Sequence, residues 1–123
     1  MPIRALIVDD NHSFLEAARV LLEREGLTVA GVALNGAEAV QQAERLRPNL
    51  VLVDISLGEE SGIDLAQRLM EDGLVDGATV VLISTRSADE VVDLIAESPA
   101  AGFLPKAELS ASAIREIVDG NSR

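Results

Sequence analysis

The chain contains no cysteine, tryptophan or tyrosine, and its only aromatic residues are Phe14 and Phe103. Without cysteine it can form neither a disulfide nor a thiolate metal site. Because aromatic side chains are so few, the core must be built from leucine, valine, isoleucine and alanine, which supply most of the 48% hydrophobic content. The 123 residues are enough for one domain, 1–123, with a substantial core.

Basic residues are also scarce, since 10 lysines and arginines stand against 21 acids and give a net charge of −11. Binding to nucleic acid needs a basic surface that contacts phosphates, so we expect no direct nucleic acid binding by this chain. The apolar runs are too short to cross a bilayer, and the N-terminal residues lead straight into a predicted strand instead of a signal peptide. We therefore expect a cytoplasmic protein that makes no membrane contact.

Apolar runs alternate along the chain with segments of helical periodicity. Ala5 to Val8, for example, is a short and fully apolar run, typical of a strand buried on both faces. Five strand–helix repeats predict a doubly wound α/β fold, a five-stranded parallel sheet flanked by five helices. The predicted strands are 4–8, 28–33, 50–54, 79–84 and 102–105, and the predicted helices are about 11–25, 36–46, 63–70, 87–97 and 110–119.

Polar side chains stand where the predicted strands end. Asp9 and Asp10 follow the first strand, and Asp54 ends the third. Ser84 ends the fourth strand, and Lys106 follows the fifth. Because the carboxyl ends of parallel strands meet at one edge of a sheet, where ligands bind, we expect these side chains to converge.

Three converging carboxylates would repel one another, and a hard divalent cation would relieve this repulsion. Two unit charges about 5 Å apart repel by roughly 3 kcal/mol at an effective dielectric constant near 20. Oxygen ligands suit Mg²⁺, which keeps several waters and also takes a phosphate oxygen. A carboxylate can attack phosphorus to form an aspartyl phosphate, whose charge must then be met by the metal, an ammonium group and a hydroxyl. The three aspartates, the serine and the lysine at the strand ends supply each of these parts.

This ordered set of residues resembles the receiver domain of two-component response regulators. The spacings agree as well, since Gly62 lies eight residues after Asp54 and Lys106 lies 22 residues after Ser84. The resemblance covers about residues 3–118. It implies the flavodoxin-like strand order 2-1-3-4-5 for the sheet.

The resemblance assigns roles to individual residues. Asp54 would accept a phosphoryl group from a histidine kinase, a phosphotransfer protein or a small phosphodonor. Asp9, Asp10 and Asp54, together with the backbone carbonyl of Ser56, would bind Mg²⁺. Asp54 is thus assigned both a catalytic and a metal-binding role.

Lys106 and Ser84 would also be catalytic, and Ser84 and Phe103 would form the switch. Lys106 would pair with Asp54 and then with the phosphoryl group, and Ser84 would move its hydroxyl onto the phosphate. Phe103 matches the aromatic residue that turns inward when this hydroxyl moves. Two alternatives stay open, because Thr85 could supply the hydroxyl and Phe103 could be a plain core residue.

The function implied by the resemblance is a phosphorylation switch in two-component phosphorelay signalling. Such a protein is not an enzyme beyond its own phosphorylation and dephosphorylation. Phosphorylation would change a protein-interaction surface, including a homodimer through the fourth helix, fifth strand and fifth helix. The chain would be a stand-alone receiver or the receiver part of a DNA-binding regulator.

Two other function classes compete with this interpretation. One is a receiver-like protein-interaction module that works without phosphorylation, although such modules usually lack one of the acidic residues retained here. The other is a hydrolase or nucleotide-binding enzyme. That class is disfavoured because no P-loop or Gly-x-Gly-x-x-Gly motif occurs, and because Asn11 stands where an Asp-x-Asp phosphatase carries its second aspartate.

The chain departs from the receiver pattern at two places. Gly58 stands four residues after Asp54, where proline is common. Ala107 follows Lys106 where proline is frequent, and Pro105 precedes the lysine instead. The Leu-Pro-Lys arrangement is similar to that of receivers fused to helix-turn-helix domains. Neither departure removes a residue with an implied catalytic role.

Overall fold

The apolar runs of the sequence form the central sheet of the computed structural model, which describes residues 3–73, 77–98 and 100–121. The chain ends and the middle of the loop expected at 72–78 lie outside the described residues. All neighbouring strands of the sheet are parallel, in the order β2-β1-β3-β4-β5. The predicted fold and strand order are therefore confirmed. The strands are β1 (Arg4–Val8), β2 (Thr28–Ala33), β3 (Leu50–Asp54), β4 (Thr79–Ser84) and β5 (Gly102–Pro105).

Within the described ranges, five α-helices follow the strands, with bounds within about two residues of those predicted. Polar side chains start them: Asn11 accepts a hydrogen bond from Phe14 N at 3.1 Å, and Asn35 accepts one from Glu38 N at 2.9 Å. Among the described residues, no helix is both long and apolar enough to cross a membrane. The helices are α1 (His12–Arg24), α2 (Gly36–Leu46), α3 (Gly62–Glu71), α4 (Ala88–Ala96) and α5 (Ala111–Asn121).

Two hydrophobic cores lie on opposite faces of the sheet, because successive strand side chains point to opposite faces. Leu6 and Val8 of β1 pack with residues of α2, α3 and α4. Ala5 and Ile7 pack with residues of α1 and α5. All four side chains are fully buried. Both cores consist of leucine, isoleucine, valine and alanine, as the composition predicts.

The segment after β3 contains structure that the sequence did not predict. The predicted strands and helices leave residues 55–62 as a loop, but Ser56–Leu57 pairs antiparallel with Glu60–Ser61. Leu57, only 3% exposed, anchors this 56–61 hairpin to the core. Gly58 adopts a φ angle of +61°, which allows the tight turn. A short 3₁₀ helix, Lys106–Glu108, is a second unpredicted element.

Candidate functional site

Three carboxylates converge at the carboxyl edge of the sheet. Asp9 and Asp10 follow β1, and Asp54 ends the neighbouring strand β3. One oxygen atom from each of the three side chains lies within 4.8 Å of the others. Asp9 is completely buried and Asp54 is 7% exposed, whereas Asp10 is exposed. The cluster therefore has two carboxylates held inside the protein and one at the solvent boundary.

Lys106, the only lysine of the chain, bridges the two inner carboxylates. Its Nζ lies 2.5 Å from Asp9 Oδ2 and 2.8 Å from Asp54 Oδ2. The side chain reaches the cluster because β5 ends at Pro105, which pairs with Ser84 at the end of β4. The structure thus brings four of the residues singled out at the strand ends into one group, Asp9, Asp10, Asp54 and Lys106.

Phe14 is a member of the site that sequence reasoning missed. Lys106 Nζ lies 4.4 Å from the centre of the Phe14 ring, a favourable distance for a cation–π interaction. In the sequence, Phe14 shows only helical spacing with the other apolar residues of α1, and nothing in that pattern points to Lys106, 92 positions away. Its position four residues after Asp10, in the first turns of α1, is the one signal that places it near the acidic edge.

Backbone amides orient the two inner carboxylates. Asn11 N donates a hydrogen bond to Asp9 Oδ1 at 2.9 Å, and Ser56 N donates one to Asp54 Oδ1 at 3.0 Å. Each carboxylate thus turns one oxygen towards the backbone and the other towards Lys106. Within the described part of the chain, the buried Asp9 Oδ2 has no partner beyond its ion pair with Lys106.

Burial and neighbouring charges shift the pKa values of both partners of the Asp9–Lys106 ion pair. Burial raises the pKa of Asp9 above its usual value, and the nearby Asp54 charge adds to this, outweighing the hydrogen bonds from Lys106 and Asn11 N. Burial by itself would lower the pKa of Lys106, but the hydrogen bonds to Asp54 and Asp9 outweigh it and raise that pKa above 10.5. The lysine stays charged, and burying Asp9 in its ionised form costs free energy.

The donor set fits a hard divalent cation such as Mg²⁺. All three groups offer carboxylate oxygens, and one of these is a buried oxygen with an unused lone pair. Oxygens on opposite sides of an octahedral Mg²⁺ lie about 4.2 Å apart, close to the 4.8 Å limit of this cluster. The exposure of Asp10 leaves room for the waters that Mg²⁺ retains. The acidic cluster could therefore hold a metal ion.

Ser84 and Thr85 have different environments at the end of β4. Ser84 is 5% exposed, and its Oγ accepts a hydrogen bond from Arg86 N at 3.0 Å. Thr85 is exposed. Ser84 pairs with Pro105, the last residue of β5. The structure therefore places Ser84 beside the end of the strand that leads into Lys106.

Ser56 and Phe103 lie at the edges of the site. Ser56 is exposed at the start of the 56–61 hairpin, directly after the buried Ile55. Phe103 lies in β5 beside Leu82, is half-buried, and packs against the core under α2, α3 and α4. This partial burial is compatible with a core residue and with a side chain that can move, so its switch role stays a prediction.

Comparison with known proteins identifies the family. A family model described as the response regulator receiver domain matches residues 5–119. The chain belongs to the response regulator receiver domain family. This receiver is 37% identical over 106 residues to a putative transcriptional regulator of Pseudomonas aeruginosa, covering 85% of this chain and 50% of that protein.

Solved structures of receivers superpose closely on this receiver. The signal receiver domain of the putative response regulator NarL from Mycobacterium tuberculosis gives a TM-score of 0.80 at 26% identity, covering 96% of this chain and 94% of that one. A Burkholderia pseudomallei response regulator was solved with a phosphorylated aspartic acid, a calcium ion and citrate. It gives a TM-score of 0.73 at 25% identity, and the match covers 96% of this chain and 72% of that one.

This receiver is shorter than several curated relatives that it matches. It spans 27% of a protein-glutamate methylesterase and 50% and 60% of two transcriptional regulators. The shared part is the receiver domain, and the activities of those longer proteins belong to them.

Proposed function

We propose that this receiver accepts a phosphoryl group on Asp54 while Mg²⁺ is bound by Asp9, Asp10, Asp54 and the backbone carbonyl of Ser56. The observation that carries the proposal is the contact of Lys106 Nζ with both Asp9 and Asp54, at 2.5 Å and 2.8 Å, beside a third carboxylate. A purely structural ion pair needs one carboxylate for one ammonium group. Here two further negative charges are held at the same place.

In the transfer step, an oxygen of Asp54 forms a bond to phosphorus. The bond from phosphorus to the leaving nitrogen of a phosphohistidine, or to the leaving oxygen of acetyl phosphate, breaks, and the leaving group takes the electron pair. Mg²⁺, when bound, supplies positive charge to the phosphoryl oxygens. Lys106 holds the Asp54 carboxylate before transfer and then faces the added phosphoryl oxygens.

Ser84 and Phe103 would communicate the new charge to the surface. The buried Ser84 hydroxyl would bind the phosphoryl group, and the half-buried Phe103 would move into the space near β4. The surface formed by α4, β5 and α5 would then bind a second copy or a downstream protein. Val92, 58% exposed, and Leu94, 41% exposed, present apolar area on α4.

The upstream partner would be a histidine kinase or a phosphotransfer protein. The solved Burkholderia pseudomallei response regulator, with its phosphorylated aspartic acid and calcium ion, supports both parts of the proposal by similarity. As a receiver that transfers no group onward to a small-molecule substrate, this chain would catalyse only its own phosphorylation and dephosphorylation.

Intact mass measurement tests the proposal, because the absence of tryptophan and tyrosine rules out the usual fluorescence assay. The protein is incubated with acetyl phosphate and Mg²⁺, beside the Asp54→Asn variant and a sample with EDTA. We expect one added phosphoryl group on the wild-type chain and none in either control. Addition of a stable phosphoryl group to an aspartate of Asp54→Asn would show that Asp54 is not the acceptor.

A further inference from the structure

We infer that Glu60 is a positioning residue for the metal site, acting through the backbone carbonyl of Ser56. Its carboxylate ties the 56–61 hairpin to the first backbone amide of α2 and so holds the hairpin in place. The inference rests on the proposed function, because the Ser56 carbonyl matters only if this receiver binds Mg²⁺ there.

The tie is a hydrogen bond between segments 24 residues apart. Gly36 N donates to Glu60 Oε1 at 3.1 Å. Gly36 is the first residue of α2, where backbone N–H groups have no acceptor within the helix. The helix dipole also favours a negative charge at this end. Glu60 therefore satisfies an amide that the N-cap residue Asn35, which bonds to Glu38 N, leaves unpaired.

Gly36 is the residue that makes room for this contact. A Cβ atom at position 36 would overlap Glu60 Oε2. The φ angle of Gly36 is not positive, so the backbone conformation itself does not require glycine. Glycine at this position is thus explained by the close approach of the Glu60 carboxylate.

The hairpin transmits the position of Glu60 to Ser56. Glu60 pairs with Leu57, and Ser61 pairs with Ser56, so the two strands have only two residues each. A hairpin this short is not stable by itself and depends on contacts outside it. Those contacts include the buried side chain of Leu57, the bond from Ser56 N to Asp54 Oδ1 and the Glu60–Gly36 hydrogen bond. Loss of the Glu60–Gly36 hydrogen bond removes the contact that holds the second strand against α2, and so loosens the strand that begins at Ser56.

Glu59 offers a matched control for charge. It is also exposed and carries the same charge one residue away, and it makes no hydrogen bond or ion pair in the described ranges. Glu59→Ala and Glu60→Ala remove the same charge near the site. A difference in Mg²⁺ affinity between the two variants therefore measures the effect of the Glu60–Gly36 hydrogen bond and not the effect of the lost charge.

The test measures Mg²⁺ affinity in Glu60→Ala, Gly36→Ala, the double variant and Glu59→Ala. Mg²⁺ is titrated into ¹⁵N-labelled protein while amide shifts are followed by NMR. We expect Glu60→Ala and Gly36→Ala each to raise the Mg²⁺ Kd roughly threefold to tenfold, which corresponds to one hydrogen bond, and Glu59→Ala to change it less than about twofold. The double variant should equal the single ones, because both changes remove the same contact.

Stability, followed by urea unfolding, separates positioning from a general structural role. Alanine has the higher helix propensity, so Gly36→Ala should keep the wild-type free energy of unfolding while it loses Mg²⁺ affinity. Equal Kd values for Glu60→Ala and Glu59→Ala, or additive losses in the double variant, would overturn the inference alone. A wild-type protein that binds no Mg²⁺ would overturn the proposed function together with it.

Discussion

Asp9 is the site residue whose burial lowers the stability of the folded protein. It is completely buried, and burial raises its pKa despite the ion pair with Lys106. A folded-state pKa above the unfolded value means that the folded protein binds more protons between the two values. Stability therefore falls as the pH rises from 3.8 through the raised pKa of Asp9. The burial of this carboxylate thus lowers the stability of the metal-free protein at neutral pH.

In metal-free buffer at neutral pH, Asp9→Asn should be more stable than wild type, because the variant removes the charge whose burial is unfavourable. The advantage should disappear as the pH falls below 3.8, where wild-type Asp9 is protonated in both states. Urea unfolding at several pH values measures this. Glu16→Gln, which removes an exposed charge on α1, is the control. A less stable Asp9→Asn at neutral pH would contradict the prediction.

Mg²⁺ should reverse the order of stability of the wild type and Asp9→Asn. A ligand that binds only the folded state adds about 1.4 kcal/mol of stability at ten times its Kd. We expect this gain for wild type and a much smaller gain for Asp9→Asn, measured by the same unfolding experiment with and without Mg²⁺. An equal gain in both proteins would place the bound metal away from Asp9.

Lys106 permits a direct measurement, because no other lysine is present in the chain. With ¹³C-labelled lysine, its side chain gives one set of resonances, whose titration midpoint should lie above 10.5. The stability that Lys106 contributes is complete below 10.5 and is lost as the pH rises through the raised pKa. Asp54→Asn should lower the midpoint by removing one carboxylate partner. A wild-type midpoint at or below 10.5 would contradict the ion-pair geometry.

At the scale of elements, the start of α3 is packed directly beneath the end of β3. Gly62 N donates a hydrogen bond to Ile55 O at 2.8 Å, which closes the base of the 56–61 hairpin. A Cβ atom on Gly62 would overlap the backbone carbonyl oxygen of Asp54. The eight-residue spacing between Asp54 and Gly62 thus has a steric reason, because only glycine lets α3 begin this close to the strand that carries Asp54.

Gly62→Ala should therefore destabilise the protein by roughly 2–3 kcal/mol, since backbone has to move to relieve the overlap. Urea unfolding provides the measurement. Gly120→Ala in α5 is the control, because no described residue lies within 4 Å of a Cβ atom at that position. If Gly62→Ala were as stable as Gly120→Ala, the close packing of α3 on β3 would be wrong.

At the scale of the whole molecule, the two cores leave apolar side chains exposed on separate helices. Val92 of α4 is 58% exposed, and Val20 of α1 is 47% exposed. The proposed interaction surface contains α4 but not α1. The two valines therefore form a matched pair of exposed apolar residues for testing which surface the proposed switch uses.

We expect phosphorylation to increase self-association through the α4 surface. Val92→Asp should reduce this self-association at least several-fold, because a charge would be buried at the contact, while the stability of the monomer changes by less than about 0.5 kcal/mol. Val20→Asp should leave self-association at the wild-type level. Sedimentation velocity with and without acetyl phosphate gives the result. A loss in Val20→Asp, and none in Val92→Asp, would assign the contact to α1.

Much of the fold could be predicted from the sequence because its signals are local. Apolar runs such as Leu50 to Val53 define strands, and Asn11 and Asn35 define helix starts through bonds that span only three residues. The alternation of strands and helices then requires parallel pairing, which brings the strand ends to one edge. Asp9, Asp10, Asp54 and Lys106 follow from that rule, although their roles rest on the resemblance to receivers.

The sequence by itself thus determined the five sheet strands and the α-helices, the two-sided core and the acidic edge, but neither the 56–61 hairpin nor the 3₁₀ helix. Only the tertiary structure decided the contacts between distant segments: Phe14 over Lys106, Glu60 on Gly36, and Gly62 against the Asp54 carbonyl. It also buried Ser84 and exposed Thr85, two adjacent hydroxyl residues that sequence reasoning left as alternatives. The physical reason is that a periodic pattern records which face a residue occupies, whereas these contacts depend on how loops and helix ends approach one another in space.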